Sequence, residues 1–154
     1  MYKCTIFVNS INNDGMEGKK KLIFIVNPIS GTQNKEQILN LLEERIDREL
    51  YEYKIVRTEY AGHAAEIASQ AATEDTYMAV AIGGDGTINE IARALIHTQT
   101  ALGIIPCGSG NGLARHLQIP MEPKKAIDII NKNYPRVKTH RREEYYASSQ
   151  CSGS

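Results

Sequence analysis

A mainly parallel sheet flanked by helices on both faces is the fold class that this sequence predicts. Three observations carry it. Apolar runs at Leu22-Ile-Phe-Ile-Val26, Tyr77-Met-Ala-Val-Ala-Ile82 and Ala101-Leu-Gly-Ile-Ile105 have strand length and little polar alternation, as strands buried on both faces do. Between the strands lie segments with apolar residues at helical spacing. Glycine-rich loops follow the strand ends. Strands alternating with helices imply βαβ units.

Met1 to Lys21 is an irregular start with a turn signal at Asn12-Asn-Asp-Gly15. Residues 2–8 fit either an extra strand or a loose extension. The regular part begins with the strand Leu22–Val26, broken by Asn27-Pro-Ile-Ser-Gly31. Lys35 to Leu50 is predicted as helix, with Ile38, Leu39, Leu42, Ile46 and Leu50 on one face. Tyr53-Lys-Ile-Val-Arg-Thr58 is a more polar strand, expected nearer an edge. Ala64, Ile67, Ala68 and Ala71 mark a second helix, and Ile88, Ile91, Ala92 and Leu95 a third. The strand Met78–Ile82 lies between these two. Ala101–Ile105 is the fourth strand, closed by Pro106. Asn111 to Leu117 is a short helical turn. Pro123 to Asn131 is the last helix, with its proline at the favoured first position. From Tyr134 apolar periodicity stops, so residues 134–154 are expected to be a disordered or non-native tail. The expected division is an extension over 1–20, one domain over 21–133 and this tail.

The 154 residues suffice for one domain with a sizeable core. Eighteen basic and eighteen acidic residues cancel, so bulk charge argues for neither nucleic acid nor an anionic membrane. Without Trp and with two Phe, base stacking on single-stranded nucleic acid is poorly served. Cys4, Cys107 and Cys151 lack CxxC spacing, which argues against a disulfide framework or zinc site and fits a reducing cytoplasm. No apolar stretch approaches the roughly 20 residues of a membrane span, and no signal peptide is evident. Any membrane contact is expected to be peripheral.

In open α/β sheets, ligands bind beyond the carboxyl ends of the strands. Four loops should gather there. In Gly83-Gly-Asp-Gly-Thr87, the glycines allow positive φ and close backbone approach, and the following helix start favours anionic oxygen. Asp85 suits a water-mediated Mg²⁺ or the orientation of donors, and Thr87 can donate to a phosphate. The loop lacks the lysine of a Walker motif. A structural reading stands beside this, since Thr87-Ile-Asn-Glu90 also fits a capping box. Pro106-Cys-Gly-Ser-Gly-Asn-Gly112 is a second such loop, offering Gly108, Ser109 and Asn111, or a turn with Asn111 as helix cap. Cys107 is read as a small space-filler. In Asn27-Pro-Ile-Ser-Gly31, Asn27 and Ser30 either bond a nucleotide or cap the next helix. In the fourth loop, Thr58 can reach the rim, and His63 is read as a capping or surface histidine. Arg115 and His116 form a small positive spot.

The ordered set Asn27-Pro-x-Ser-Gly31, Thr58 with Gly62-His63-Ala64, Gly83-Gly-Asp-Gly-Thr-Ile-Asn-Glu90, and Pro106-x-Gly-Ser-Gly-Asn-x-Leu-Ala-Arg115 resembles the N-terminal catalytic domain of diacylglycerol kinases. Bacterial lipid kinases and sphingosine and ceramide kinases share that domain. The resemblance covers about residues 20–133 and implies a fold similar to the NAD kinase and phosphofructokinase nucleotide-binding domains. It implies transfer of the γ-phosphoryl of ATP to a lipid hydroxyl, diacylglycerol or sphingoid-like, with Mg²⁺, in phospholipid metabolism. Carried over, Asn27, Ser30, Thr58, Gly83, Gly84, Asp85, Gly86, Thr87, Ile88, Asn89, Glu90, Gly108, Ser109 and Asn111 would line the nucleotide. Asp85 would position the phosphates and, indirectly, the metal. Family members continue into a β-rich domain that holds the lipid and the general base. That domain is expected to be absent here, leaving this chain weak or inactive alone and prone to self-association. An NAD-kinase-like enzyme would need a nicotinamide-binding segment that is not evident. A non-catalytic nucleotide-binding module is the reading of another class.

Overall fold

The computed structural model describes residues 7–8, 19–29, 35–107, 112–116, 118–119, 121–132 and 137–138. In chain order the elements are β1 (Phe7–Val8), β2 (Lys20–Val26), α1 (Lys35–Arg45), β3 (Tyr51–Arg57), α2 (His63–Thr73), β4 (Met78–Gly83), α3 (Asp85–Leu95), β5 (Ala101–Pro106), α4 (Gly112–His116), α5 (Pro123–Asn131) and β6 (Val137–Lys138). The sheet runs β3-β2-β4-β5-β1-β6. The first four strands in that order are mutually parallel, and β1 joins β5 antiparallel. The polar strand β3 takes the edge, where its outward N–H and C=O groups meet solvent. Within the segment read as a tail, Val137–Lys138 pairs in parallel with Phe7–Val8.

Alternation along the strands sends side chains to two apolar layers. Ile23, Ile25, Ala79, Ala81, Leu102 and Ile104 pack under Ala64, Ala68 and Ala71 of α2 and Ile88, Ile91 and Leu95 of α3. Leu22, Phe24, Val26, Met78, Val80, Ile82 and Ile105 pack on the other face. There they meet Ile38, Leu39 and Leu42 of α1 and Ala126, Ile127 and Ile130 of α5. Burial on both faces explains why β4 and β5 carry no exposed residue.

Helix α1 ends at Arg45, short of the predicted Leu50, because a distant residue claims the next backbone groups. Asn131 Oδ1 accepts the Asp47 N–H (2.9 Å), and Asn131 Nδ2 donates to the Arg45 carbonyl. Asp47 Oδ1 then accepts from the Glu49 and Leu50 amides, a turn that swings Leu50 out to 45% exposure. The strands at Lys20 and Tyr51 both begin earlier than their apolar runs, since Lys20 and Tyr51 are register partners.

Candidate functional site

The register aligns four strand ends. Val26 pairs with both Arg57 and Ile82, and Gly83 pairs with Pro106. Asn27, Thr58, Gly84 and Cys107 therefore leave the sheet along one rim. The chain passes from β2 into α1 on one face and from β4 into α3 on the other. The crevice between the carboxyl ends of β2 and β4 is thus a topological switch point, where such sheets bind ligands.

Asn27 spans that crevice. Its backbone N–H donates to Ile82 O (3.2 Å), and its Nδ2 donates to Thr87 Oγ1 (3.3 Å). Its Oδ1 accepts the Ile29 N–H (3.0 Å), closing a turn upstream of α1, so it does not cap that helix. Thr87 is 5% exposed and occupies the third position of α3, because Gly84 is the N-cap and Asp85 the first residue. The capping-box reading of Thr87 to Glu90 is therefore overturned, and α3 starts three residues before the expected Ile88. The first intrahelical bond runs from Ile88 N–H to Gly84 O (3.1 Å). The Gly86 and Thr87 amides lie ahead of it, in the turn whose donors have no intrahelical acceptor. Ile88 itself is fully buried in the core. Asn89 and Glu90 are half-buried on the same turn.

Positive φ, expected for the glycines of this loop, is not what they supply. Gly84 has φ −90°, and the positive-φ glycine among the described residues is Gly62. A Cβ placed on Gly84 or Gly86 would meet nothing within 4 Å. Neither conformation nor internal packing therefore demands glycine at Gly84; at Gly86 the packing does not. The absent side chains leave the helix start open to an incoming group, a fit to phosphate oxygen.

Asp85 reaches the other way. Its Oδ2 accepts the Gly112 N–H at 3.0 Å, linking the β4 loop to the start of α4. Three of the four loop regions are thereby joined through Asn27, Thr87 and Asp85. Thr58 continues β3, its N–H bonded to Val26 O (2.9 Å), and sits half-buried at the rim. His63 closes the β3–α2 loop. Its Nδ1 accepts the Glu59 N–H (3.0 Å) and its ring stacks on Tyr60 at 4.3 Å. The Glu66 carboxylate accepts the Tyr60 hydroxyl proton and thereby raises the pKa of that phenol. Ser30, Gly108, Ser109 and Asn111 lie outside the described residues. Arg115 and His116 are exposed on α4.

Cys107 is 2% exposed, as a space-filler should be. Burial pushes its thiol up to about 11, while the Lys35 ammonium pulls it down. Lys35 is the residue that sequence reasoning missed: at 9% exposure it is a buried lysine at the start of α1. A signal existed, since Lys35 shares the i, i+3, i+4, i+7 stripe with Ile38, Leu39 and Leu42. Among the described residues no three His, Cys, Asp or Glu side chains gather as a metal site.

The class that these elements define is a doubly wound α/β fold with a glycine turn, Gly83 to Gly86, at its switch point. Residues 21–140 match the family described as the diacylglycerol kinase catalytic domain. The chain belongs to that family, whose named members are lipid kinases. It is 36% identical over 116 residues to a diacylglycerol kinase of Bacillus subtilis, covering 73% of this chain and 38% of that protein. A Staphylococcus carnosus diacylglycerol kinase is 31% identical over 114 residues, with 73% and 37% covered. The crystal structure of a diacylglycerol kinase from Bacillus anthracis superposes with a TM-score of 0.64 at 27% identity. That superposition covers 75% of this chain and 43% of the other. The chain thus spans less than half the length of these relatives.

Proposed function

We propose that this chain is the ATP-binding half of a lipid kinase that transfers the γ-phosphoryl group of ATP to a lipid hydroxyl of the diacylglycerol or sphingoid type. The observation that carries the reading is the joining of the loops after β2 and β4 to the start of α4 by Asn27–Thr87 and Asp85–Gly112 at the switch point. Bound Mg-ATP would supply the activated phosphoryl group. The chain's own contribution is positioning and electrostatics, which dominate phosphoryl transfer. Asn27, Thr58 and Thr87 offer polar groups along the crevice. The amides of Gly86 and Thr87 offer donors for phosphate oxygen. Asp85 holds the second loop in place and adds a negative charge that a divalent ion would satisfy.

The described rim gives less for the acceptor. Asp85 is engaged with Gly112, and His63 with Glu59. The 154 residues alone are therefore proposed to bind nucleotide and to transfer phosphoryl groups weakly. A non-catalytic nucleotide-binding module shares the first half of that statement. No helix among the described residues is long and apolar enough to cross a membrane, and contact with a lipid surface is proposed to be peripheral.

Isothermal titration with Mg-ATP tests the reading. The wild-type chain should bind, and Asp85→Ala should weaken binding at least about tenfold. Asp85→Asn keeps an acceptor for Gly112 and isolates the loss of charge. Absence of heat with the wild type, or equal affinity in Asp85→Ala, would sink the assignment. Transfer of labelled γ-phosphate to diacylglycerol then separates kinase from module. A rate near that of full-length relatives would refute the claim of weak activity.

A further inference from the structure

Lys35 opens α1 on the face where Ile38, Leu39, Leu42 and Cys107 form one apolar layer. It is 9% exposed and has no hydrogen-bond or ion-pair partner among the described residues. The four described salt bridges use Arg45, Lys54, Arg57 and Lys125 instead. A leucine or methionine would complete the same apolar stripe, so a charged residue at this place calls for a ligand that uses the charge. The side chain also has a defined neighbourhood. Its charge acts on the buried Cys107 thiol, and Cys107 N–H donates to Gly83 O (3.2 Å). Lys35 thus opens α1 on the face of the sheet that Cys107 shares, and Cys107 directly follows β5 at the rim. The helix start of α3, open at Gly84 and Gly86, serves the same rim from the opposite face of the sheet.

We propose that Lys35 is a phosphate-binding residue whose missing counter-charge is supplied by the phosphate tail of the nucleotide. This rests on the nucleotide reading above and adds to it a cation that the glycine motifs do not contain. Backbone amides of α3 and the Lys35 ammonium then hold the polyphosphate from two sides. Lys35 is assigned to phosphate and not to adenine, because an ammonium has donors and charge but no surface for stacking.

The test titrates ATP, adenosine and inorganic tripolyphosphate, each with Mg²⁺, into the unmutated chain, Lys35→Met and Lys35→Arg. Urea melts verify folding. Lys35→Met should lose about ten- to a hundredfold in affinity for ATP and tripolyphosphate. It should keep its affinity for adenosine and be at least as stable as the parent, since a buried charge is gone. Lys35→Arg should retain much of the phosphate affinity. Equal ATP and tripolyphosphate affinity in Lys35→Met would overturn the assignment, as would an equal loss for adenosine. Binding of tripolyphosphate through Lys35 without binding of ATP would leave the phosphate role standing and sink the nucleotide reading. Binding of neither by the unmutated chain would overturn both. Reductive methylation of the unmutated chain covers a variant that fails to fold. Tripolyphosphate should slow labelling at Lys35 and leave exposed Lys54 unaffected; no slowing at Lys35 contradicts the proposal.

Discussion

Thr87 shows how much one hydroxyl organises at the rim. It is nearly buried, belongs to α3, and accepts a hydrogen bond from a side chain that follows β2. Replacing it by valine keeps the shape and removes the acceptor. Thr87→Val should cost about 1 kcal/mol in urea unfolding and lower Mg-ATP affinity, because the Asn27 side-chain amide loses its acceptor across the crevice. Unchanged stability together with unchanged affinity would show that the bond has no role. Sequence made the residue type and its rim position legible, since a threonine after paired glycines at a strand end is a recognisable pattern. Its partner was not legible. Asn27 lies 60 residues away, and only the pairing of β2 with β4 brings the two together. Lys35 is hidden for another reason: a lysine at a helix start is ordinarily solvated, and its charge masks its place on the apolar stripe. The capping-box reading failed because the helix starts earlier, at Asp85, which moves Thr87 inside the first turn.

Helix α1 and helix α5 cover one face of the sheet side by side, and their contact is pinned by polar groups at the ends. Arg45 donates to both oxygens of Asp128, from Nη2 at 2.8 and 3.0 Å and from Nε at 3.1 Å. Asn131 bonds the backbone of Arg45 and Asp47, and buried Tyr51 donates its hydroxyl proton to Ile130 O at 2.8 Å. These contacts differ in weight. The Arg45–Asp128 pair is about one-third exposed, so Arg45→Ala should cost under about 1 kcal/mol. Asn131→Ala leaves a helix-end carbonyl and an amide without their partner and should cost about 1–2 kcal/mol. Paired urea titrations check the order, and a larger loss for Arg45→Ala would contradict it. The existence of each helix was legible from apolar spacing, as was each inner strand from its unbroken run. The end of α1 was not, since its stop signal is a side chain 84 residues further on.

At the scale of the molecule, a single arrangement places every singled-out and described loop on one side. Four parallel strands end together, the chain reverses direction between β2 and β4, and helices seal both faces. The amino ends of the same strands carry Lys20, Thr76 and Thr100. There the Lys20 ammonium lies over the Tyr77 ring and the Thr100 hydroxyl donates to Thr76 O, contacts that stitch the sheet. The central claim is that nucleotide enters the carboxyl rim at the switch point. Amide chemical-shift mapping of the ¹⁵N-labelled chain titrated with Mg-ADP tests it most directly. The largest changes are expected at Asn27, Thr58, Gly84 to Thr87 and Gly112. Changes gathered around Lys20, Thr76 and Thr100, or none at saturating nucleotide, would contradict it.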